Sequence, residues 1–133
     1  LCDRSGTCVA AAHAGWRGLA AGVLEQTVAA MRVARGTVMA WLGPAIGTQA
    51  FEVGDEVRAR FIAHDAAAAA AFHPNAGGRW QCDLYLLARQ RLLALGIDAI
   101  YGGGYCTFDD AQRFYSYRRD GETGRMATLV WRE

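Results

Sequence analysis

No stretch of this sequence reads as a membrane span, because arginine and glutamate interrupt every apolar run long before the required length. The first residues do not read as a basic-then-apolar leader. The chain begins at Leu1 without methionine, inside what reads as a strand, so it is expected to be a piece of a longer protein with its N-terminal part missing. Surplus charge is absent as well: a formal net charge of +1 argues against a dedicated nucleic-acid binder, which shows a basic excess or stripe. The four cysteines, Cys2, Cys8, Cys82 and Cys106, form no CxxC pair and no tight cluster. In a chain this apolar they read as reduced thiols and point to the cytoplasm rather than to a disulfide scaffold. Histidine is scarce, with three residues. His64 and His73 flank an alanine run and lack the three- or four-residue spacing that puts two ligands on one helix face, so they read as surface residues.

Material for a core is plentiful. Of 133 residues, 53% are hydrophobic and 20% charged, which fits one folded domain without disordered segments. Thr7 to Ala12 reads as a short buried strand ending at His13. Leu19, Val23, Thr27 and Met31 recur every four residues, predicting a helix from Gly18 to Arg35 with Gly36 as its stop. Residues 37–42 read as a strand closed by Gly43-Pro44, and Val53, Val57 and Phe61 as a helix with Asp55 and Glu56 near its start. The alanines from 66 to 71 suggest a surface helix or lid. A helix capped by Asp83 buries Leu84, Leu87, Ala88, Leu92 and Leu95, with Arg89 and Arg91 off that face. Ile97 to Tyr101 and Met126 to Trp131 are expected strands. Strands interleaved with helices predict an α/β fold (an α+β sandwich), a mixed sheet flanked by helices in a single domain.

His13 is the first candidate for chemistry, placed where a strand hands over to a helix, with Gly15 and Gly18 permitting tight backbone around it. A lone histidine in an apolar segment is more often a hydrogen-bonded core residue than a ligand. Arg17, near a helix start, could bind phosphate together with free backbone N–H groups, or form a salt bridge. Three successive glycines, Gly102 to Gly104, precede Tyr105-Cys106-Thr107 and suggest close approach to a ligand. Cys106 is a candidate ligand or nucleophile there, with an inert buried thiol as the commoner fate. The run from Phe114 to Arg125 joins aromatics to Arg118, Arg119 and Arg125, a set able to hold a planar base and an anion, or else a solvated hairpin.

His13-Ala14-Gly15-Trp16-Arg17-Gly18, Leu42-Gly43-Pro44-Ala45-Ile46-Gly47, Phe51-Glu52-Val53-Gly54, Cys106-Thr107 and Ser116-Tyr117-Arg118-Arg119-Asp120 followed by Thr123-Gly124-Arg125-Met126-Ala127 appear in that order. Together they resemble the laccase-domain family, the YfiH-like proteins formerly described as multicopper polyphenol oxidases, over essentially the whole chain. The resemblance implies a metal-dependent purine nucleoside phosphorylase that cleaves adenosine, inosine and methylthioadenosine with phosphate and also deaminates adenosine. It implies a zinc ion, with copper as the alternative, held by two histidines and one cysteine, of which His13 matches one. The other two ligands lie in upstream segments that are not present, and neither Cys2 nor Cys8 replaces them. Residues 1–133 would then be the C-terminal portion of one such domain. Its partners would be purine nucleosides and phosphate, with no nucleic acid and no membrane, and a homodimer is left open. Arg17 is the first choice for holding phosphate, and Arg118, Arg125 and Cys106 are candidates for binding substrate. Two rival readings are a copper-dependent polyphenol oxidase, which needs more histidines than are here, and a non-catalytic, cell-wall-linked binding domain.

Overall fold

A computed structural model describes all 133 residues, and they form a mixed α/β structure, the class expected from the sequence. In place of one mixed sheet there are two three-stranded sheets, and the chain divides into two compact units. The first unit comprises Leu1–Gly43, Ala88–Gly103 and Thr128–Glu133, and the second Pro44–Leu87 and Gly104–Ala127.

The sheet of the first unit is mixed. β1 (Cys2–Asp3) lies antiparallel to β2 (Val38–Leu42), which runs parallel to β6 (Ala99–Gly102). Alternation along β2 buries Val38 and Ala40 and leaves Trp41 exposed, as the two-residue period of a strand requires. The helix expected from 18 to 35 is two: α1 (Trp16–Ala20) and α2 (Val23–Met31). Gly22 separates them in the left-handed region at φ +87°, a conformation that ends an α-helix and that glycine adopts without a Cβ penalty. Arg32, at φ 54°, closes α2 short of Gly36. Leu24, Val28 and Met31 form the buried stripe, with Leu19 fully buried from α1.

Three further expectations are corrected. Residues 7–12 form no strand: a single bridge joins Val9 to Cys2, because β1 is only two residues long and offers no longer ladder. Residues 126–131 have no secondary structure, and Leu129, Val130 and Trp131 are exposed; their alternation finds no strand to pair with. Arg91 is not off the buried face of α4 (Leu84–Ala94) but sits inside, pairing with Glu25 at 2.7 Å. A buried guanidinium requires such a counter-charge, and the partner lies on α2, far away in sequence.

The second unit holds an antiparallel sheet in which β5 (Trp80–Cys82) pairs with both β3 (Glu52–Val53) and β4 (Phe72–Pro74). The turn between β4 and β5 is organised by Asn75, whose Oδ1 accepts the Gly77 and Arg79 N–H groups at 3.0 Å each. Val53 belongs to β3, so the helix expected from it starts later: α3 is Asp55–Ile62, with Asp55 and Glu56 in its first turn and Val57 and Phe61 buried. The alanine run is a 3₁₀ helix, Ala66–Ala71, capped by Asp65 Oδ1, which accepts the Ala67 N–H at 2.9 Å. Its three-residue period puts Ala68 and Ala71 on one side, both buried, so it packs into the unit rather than covering it as a lid. Asp83 caps α4 as expected, its Oδ1 accepting the Leu86 N–H at 2.8 Å.

Candidate functional site

His13 lies in an irregular segment just before α1, with its side chain exposed. The preceding residues are tied back to the chain start: the Ala10 N–H donates to the Leu1 carbonyl at 2.9 Å. Two glycines shape the surroundings of His13. A Cβ on Gly15 would stand 3.2 Å from the His13 Nε2, and one on Gly18 would stand 3.3 Å from the His13 carbonyl oxygen. The first keeps room beside the imidazole, and the second lets α1 start close against the backbone of His13. Leu19 then anchors the turn, its N–H donating to the Gly15 carbonyl at 2.9 Å. Arg17 is exposed, and its guanidinium lies 4.6 Å from the centre of the Trp16 ring with no carboxylate partner. The salt-bridge alternative for Arg17 is therefore not realised, and the charge is available to an anion.

Cys106, Arg118 and Arg125 belong to the second unit, so the predicted residues divide between the units, with His13 and Arg17 in the first. Cys106 is half-buried and pairs with Ala45 across a single parallel bridge. Its Sγ accepts the Gly47 N–H at 3.2 Å, and the neighbouring Thr107 N–H donates to the Ala45 carbonyl at 2.9 Å. Tyr85, from the first turn of α4, ties the same two loops together. Its hydroxyl accepts the Ala45 N–H and donates to the Tyr105 carbonyl, both at 2.8 Å. Burial pushes the Tyr85 phenol up from its ordinary value, against the lowering effect of those bonds. Sequence reasoning missed Tyr85, since a tyrosine within a leucine-rich helix looks like core.

Arg118 and Arg119 lie on α5 (Tyr117–Asp120), a single turn that starts at the buried Ser116. Arg118 is exposed; one Nη donates to the Glu52 carbonyl at 3.2 Å, and the guanidinium stands 5.5 Å from the Phe51 ring centre. Arg125 is exposed and bonds only to the nearby carbonyls of Thr123 and Gly124. Arg119, not singled out among the candidates, is the best-bonded side chain of the stretch: its guanidinium reaches the Thr107, Phe108 and Phe114 carbonyls and the Asp120 carboxylate. The hydrogen bonds with Arg119 hold the Asp120 carboxyl below its ordinary range. His64 and His73 are exposed, as their spacing suggested.

A catalytic zinc takes three protein ligands and keeps one position open. No three His, Cys, Asp or Glu side chains of these 133 residues gather closely enough to hold a metal ion. The donor set within the chain thus does not complete such a centre, and His13 stands as a single exposed imidazole.

The chain is 63% identical over 132 residues to a purine nucleoside phosphorylase of Pseudomonas aeruginosa, an alignment covering 98% of this chain and 54% of that protein. It is 56% identical over 131 residues to the purine nucleoside phosphorylase YfiH of Escherichia coli, again over 98% of this chain and 54% of the relative. The crystal structure of a Neisseria meningitidis protein superposes with a TM-score of 0.88 at 53% identity, over 90% of this chain and 50% of that one. The chain thus spans about half the length of the curated relatives it matches. The model of the multi-copper polyphenol oxidoreductase laccase family matches residues 1–133, so the chain belongs to that family.

Proposed function

We propose that these residues are the C-terminal portion of a laccase-type purine nucleoside phosphorylase domain, which converts adenosine, inosine or methylthioadenosine and phosphate into the free base and ribose 1-phosphate. The observation that carries this reading is the high identity, over nearly all of this chain, to relatives that bear the phosphorylase name. The local geometry agrees with it. Phosphorolysis forms a bond from a phosphate oxygen to the anomeric carbon and breaks the glycosidic bond, whose electron pair leaves with the purine. The approaching phosphate needs its charge compensated without losing reach to the sugar. Arg17 supplies an exposed guanidinium without a carboxylate partner, steadied over Trp16. Arg118, with most of its N–H donors uncommitted, is the second candidate for the anion and Arg125 the third. Cys106 and the loop it bonds to would form part of the substrate wall.

His13 is assigned as one of three ligands to a zinc ion, or a copper ion, whose other donors lie outside these 133 residues. When bound, such an ion supplies Lewis acidity at a substrate or water oxygen. Adenosine deamination is the second activity proposed for the same centre. The family's description also names a laccase. A multicopper oxidase draws on many histidines, whereas this chain has three, all exposed and none of them part of a gathered ligand set within these residues.

The test uses the full-length protein. Arg17→Ala is expected to raise the KM for phosphate about tenfold or more in adenosine phosphorolysis. His13→Ala is expected to lose bound metal by elemental analysis together with ribose 1-phosphate release. Retained metal in His13→Ala would remove the ligand assignment. Phenol oxidation without ribose 1-phosphate release from the unaltered protein would replace the phosphorylase reading with the oxidase one.

A further inference from the structure

We infer that Arg119 is a positioning residue: it clamps the loop from Thr107 to Phe114 onto α5 and thereby aims Arg118 outward at the anion. The use made of Arg118 rests on the phosphorylase reading above; the clamp itself does not.

A four-residue helix has no stability of its own, because nucleating a turn fixes several dihedrals for one hydrogen bond. Something outside α5 must therefore hold it. Ser116 contributes a cap, its Oγ accepting the Arg119 N–H at 3.4 Å, a long and weak bond. The Arg119 side chain does far more. Nη1 donates to the Thr107 carbonyl at 3.0 Å and to the Phe108 carbonyl at 2.8 Å. Nη2 donates to the Phe114 carbonyl at 3.0 Å and to Asp120 Oδ2 at 2.7 Å, and Nε to Asp120 Oδ1 at 2.7 Å. A guanidinium carries five N–H donors, and here all five are engaged. The three carbonyls belong to both ends of one loop, so a single planar fork closes that loop and fixes it to α5.

Two consequences reach the candidate site. Thr107, gripped by Arg119 through its carbonyl, donates its N–H to Ala45, so the clamp is continuous with the pairing that places Cys106. Arg118 is the preceding residue on the helix, about 100° around it. With Arg119 turned inward, Arg118 faces outward, held by one hydrogen bond to the Glu52 carbonyl and by the Phe51 ring beneath it. Lysine cannot replace the fork, since an ammonium offers three donors from one point and no planar pair for the carboxylate.

The experiment compares Arg119→Lys, Arg119→Met and Arg118→Met in the full-length protein, using adenosine and inorganic phosphate as probes and limited trypsin digestion as a second readout. Arg113 is exposed within the clamped loop and is the cleavage site to follow. Both Arg119 variants are expected to be cut after Arg113 about tenfold faster, as local opening becomes easier. Each should raise the KM for phosphate about tenfold with kcat changed roughly threefold or less. Arg118→Met should show the same KM rise without faster cleavage. Arg119→Lys retains charge and length, so it serves as the foldable variant if Arg119→Met does not accumulate. Unchanged cleavage after Arg113 in Arg119→Lys overturns the clamp. A lowered melting temperature with an unchanged KM for phosphate makes Arg119 a stabilising residue only, and overturns the positioning role. An unaltered protein that releases no ribose 1-phosphate sinks the phosphorylase reading, and the cleavage rate then upholds or overturns the clamp by itself.

Discussion

The Gly47 N–H donates to the Cys106 Sγ at 3.2 Å, and a methyl group added to Gly47 would stand 3.0 Å from that same sulfur. The glycine is thus required by its neighbour rather than by its dihedral angles. Its Cβ would also meet the Cys106 Cβ at 3.1 Å, so the two loops cannot keep their spacing with any side chain there. Gly47→Ala is expected to destabilise the protein by about 1–3 kcal/mol, the usual cost of overpacking. Adding Cys106→Ala should recover part of that loss, a coupling that a double-mutant cycle in urea reads directly. Strictly additive effects would show that the two residues do not meet as described.

The Asp3 carboxylate accepts hydrogen bonds from the Ser5 hydroxyl, from the Thr7 hydroxyl at 2.7 Å and from the Cys8 N–H at 2.8 Å. These bonds, that of Ser5 foremost, hold its carboxyl well below the ordinary carboxylate value. The folded chain therefore binds the proton less readily than the unfolded chain. The stabilisation is complete above the ordinary value of 3.8 and is lost as the pH falls below it toward the folded value. Asp3→Asn should accordingly lower the urea midpoint near neutral pH, and the gap from the unaltered protein should narrow as the pH drops to about 3 and below. A gap that stays constant over that range would count against the network.

Burial, with the charge of Asp83 second, pushes the Cys82 thiol up to about 12. At pH of about 8 its thiolate fraction is then on the order of a thousandfold below that of an ordinary cysteine. Iodoacetamide applied to the folded protein should label the half-buried Cys2, Cys8 and Cys106 and leave Cys82 unmodified until denaturant is added. Peptide mass spectrometry separates the four sites. Labelling of native Cys82 at the pace of Cys2 would contradict its burial.

The α/β class and most helices were legible because they rest on local periodicity. Leu19 on α1 and Met31 on α2, Val57 and Phe61 on α3, and the Asp83 cap of α4 all announce themselves within one or two turns, although on α2 the buried stripe runs through Leu24 and Val28 rather than Val23 and Thr27. What escaped depends on distant pairing. Residues 126–131 alternate like a strand, but alternation cannot create a ladder partner. Arg91 has the local pattern of a solvated cation, and its partner Glu25 lies on another helix far away in sequence. The break at Gly22 is hidden in the sequence, where the spacing of four from Leu19 through Val23 and Thr27 to Met31 runs straight across it. At the candidate site, the glycines around His13 were informative from sequence. Arg119 and Tyr85 were not, since their value lies in backbone carbonyls and N–H groups that no side-chain pattern reveals.

Trp41 sits across the end of β2, where a Cβ on Gly43 would come within 3.2 Å of its ring and one on Gly102 within 2.9 Å of its Nε1. Gly102 is also held at φ +75° and could carry no side chain without striking the Leu42 carbonyl oxygen. The indole is thus laid over bare backbone at the carboxyl ends of the two parallel strands, while about half of it faces water. That makes it a built-in optical gauge: any ligand or neighbouring segment that shifts these strand ends changes the polarity around the indole, and with it the colour of its fluorescence.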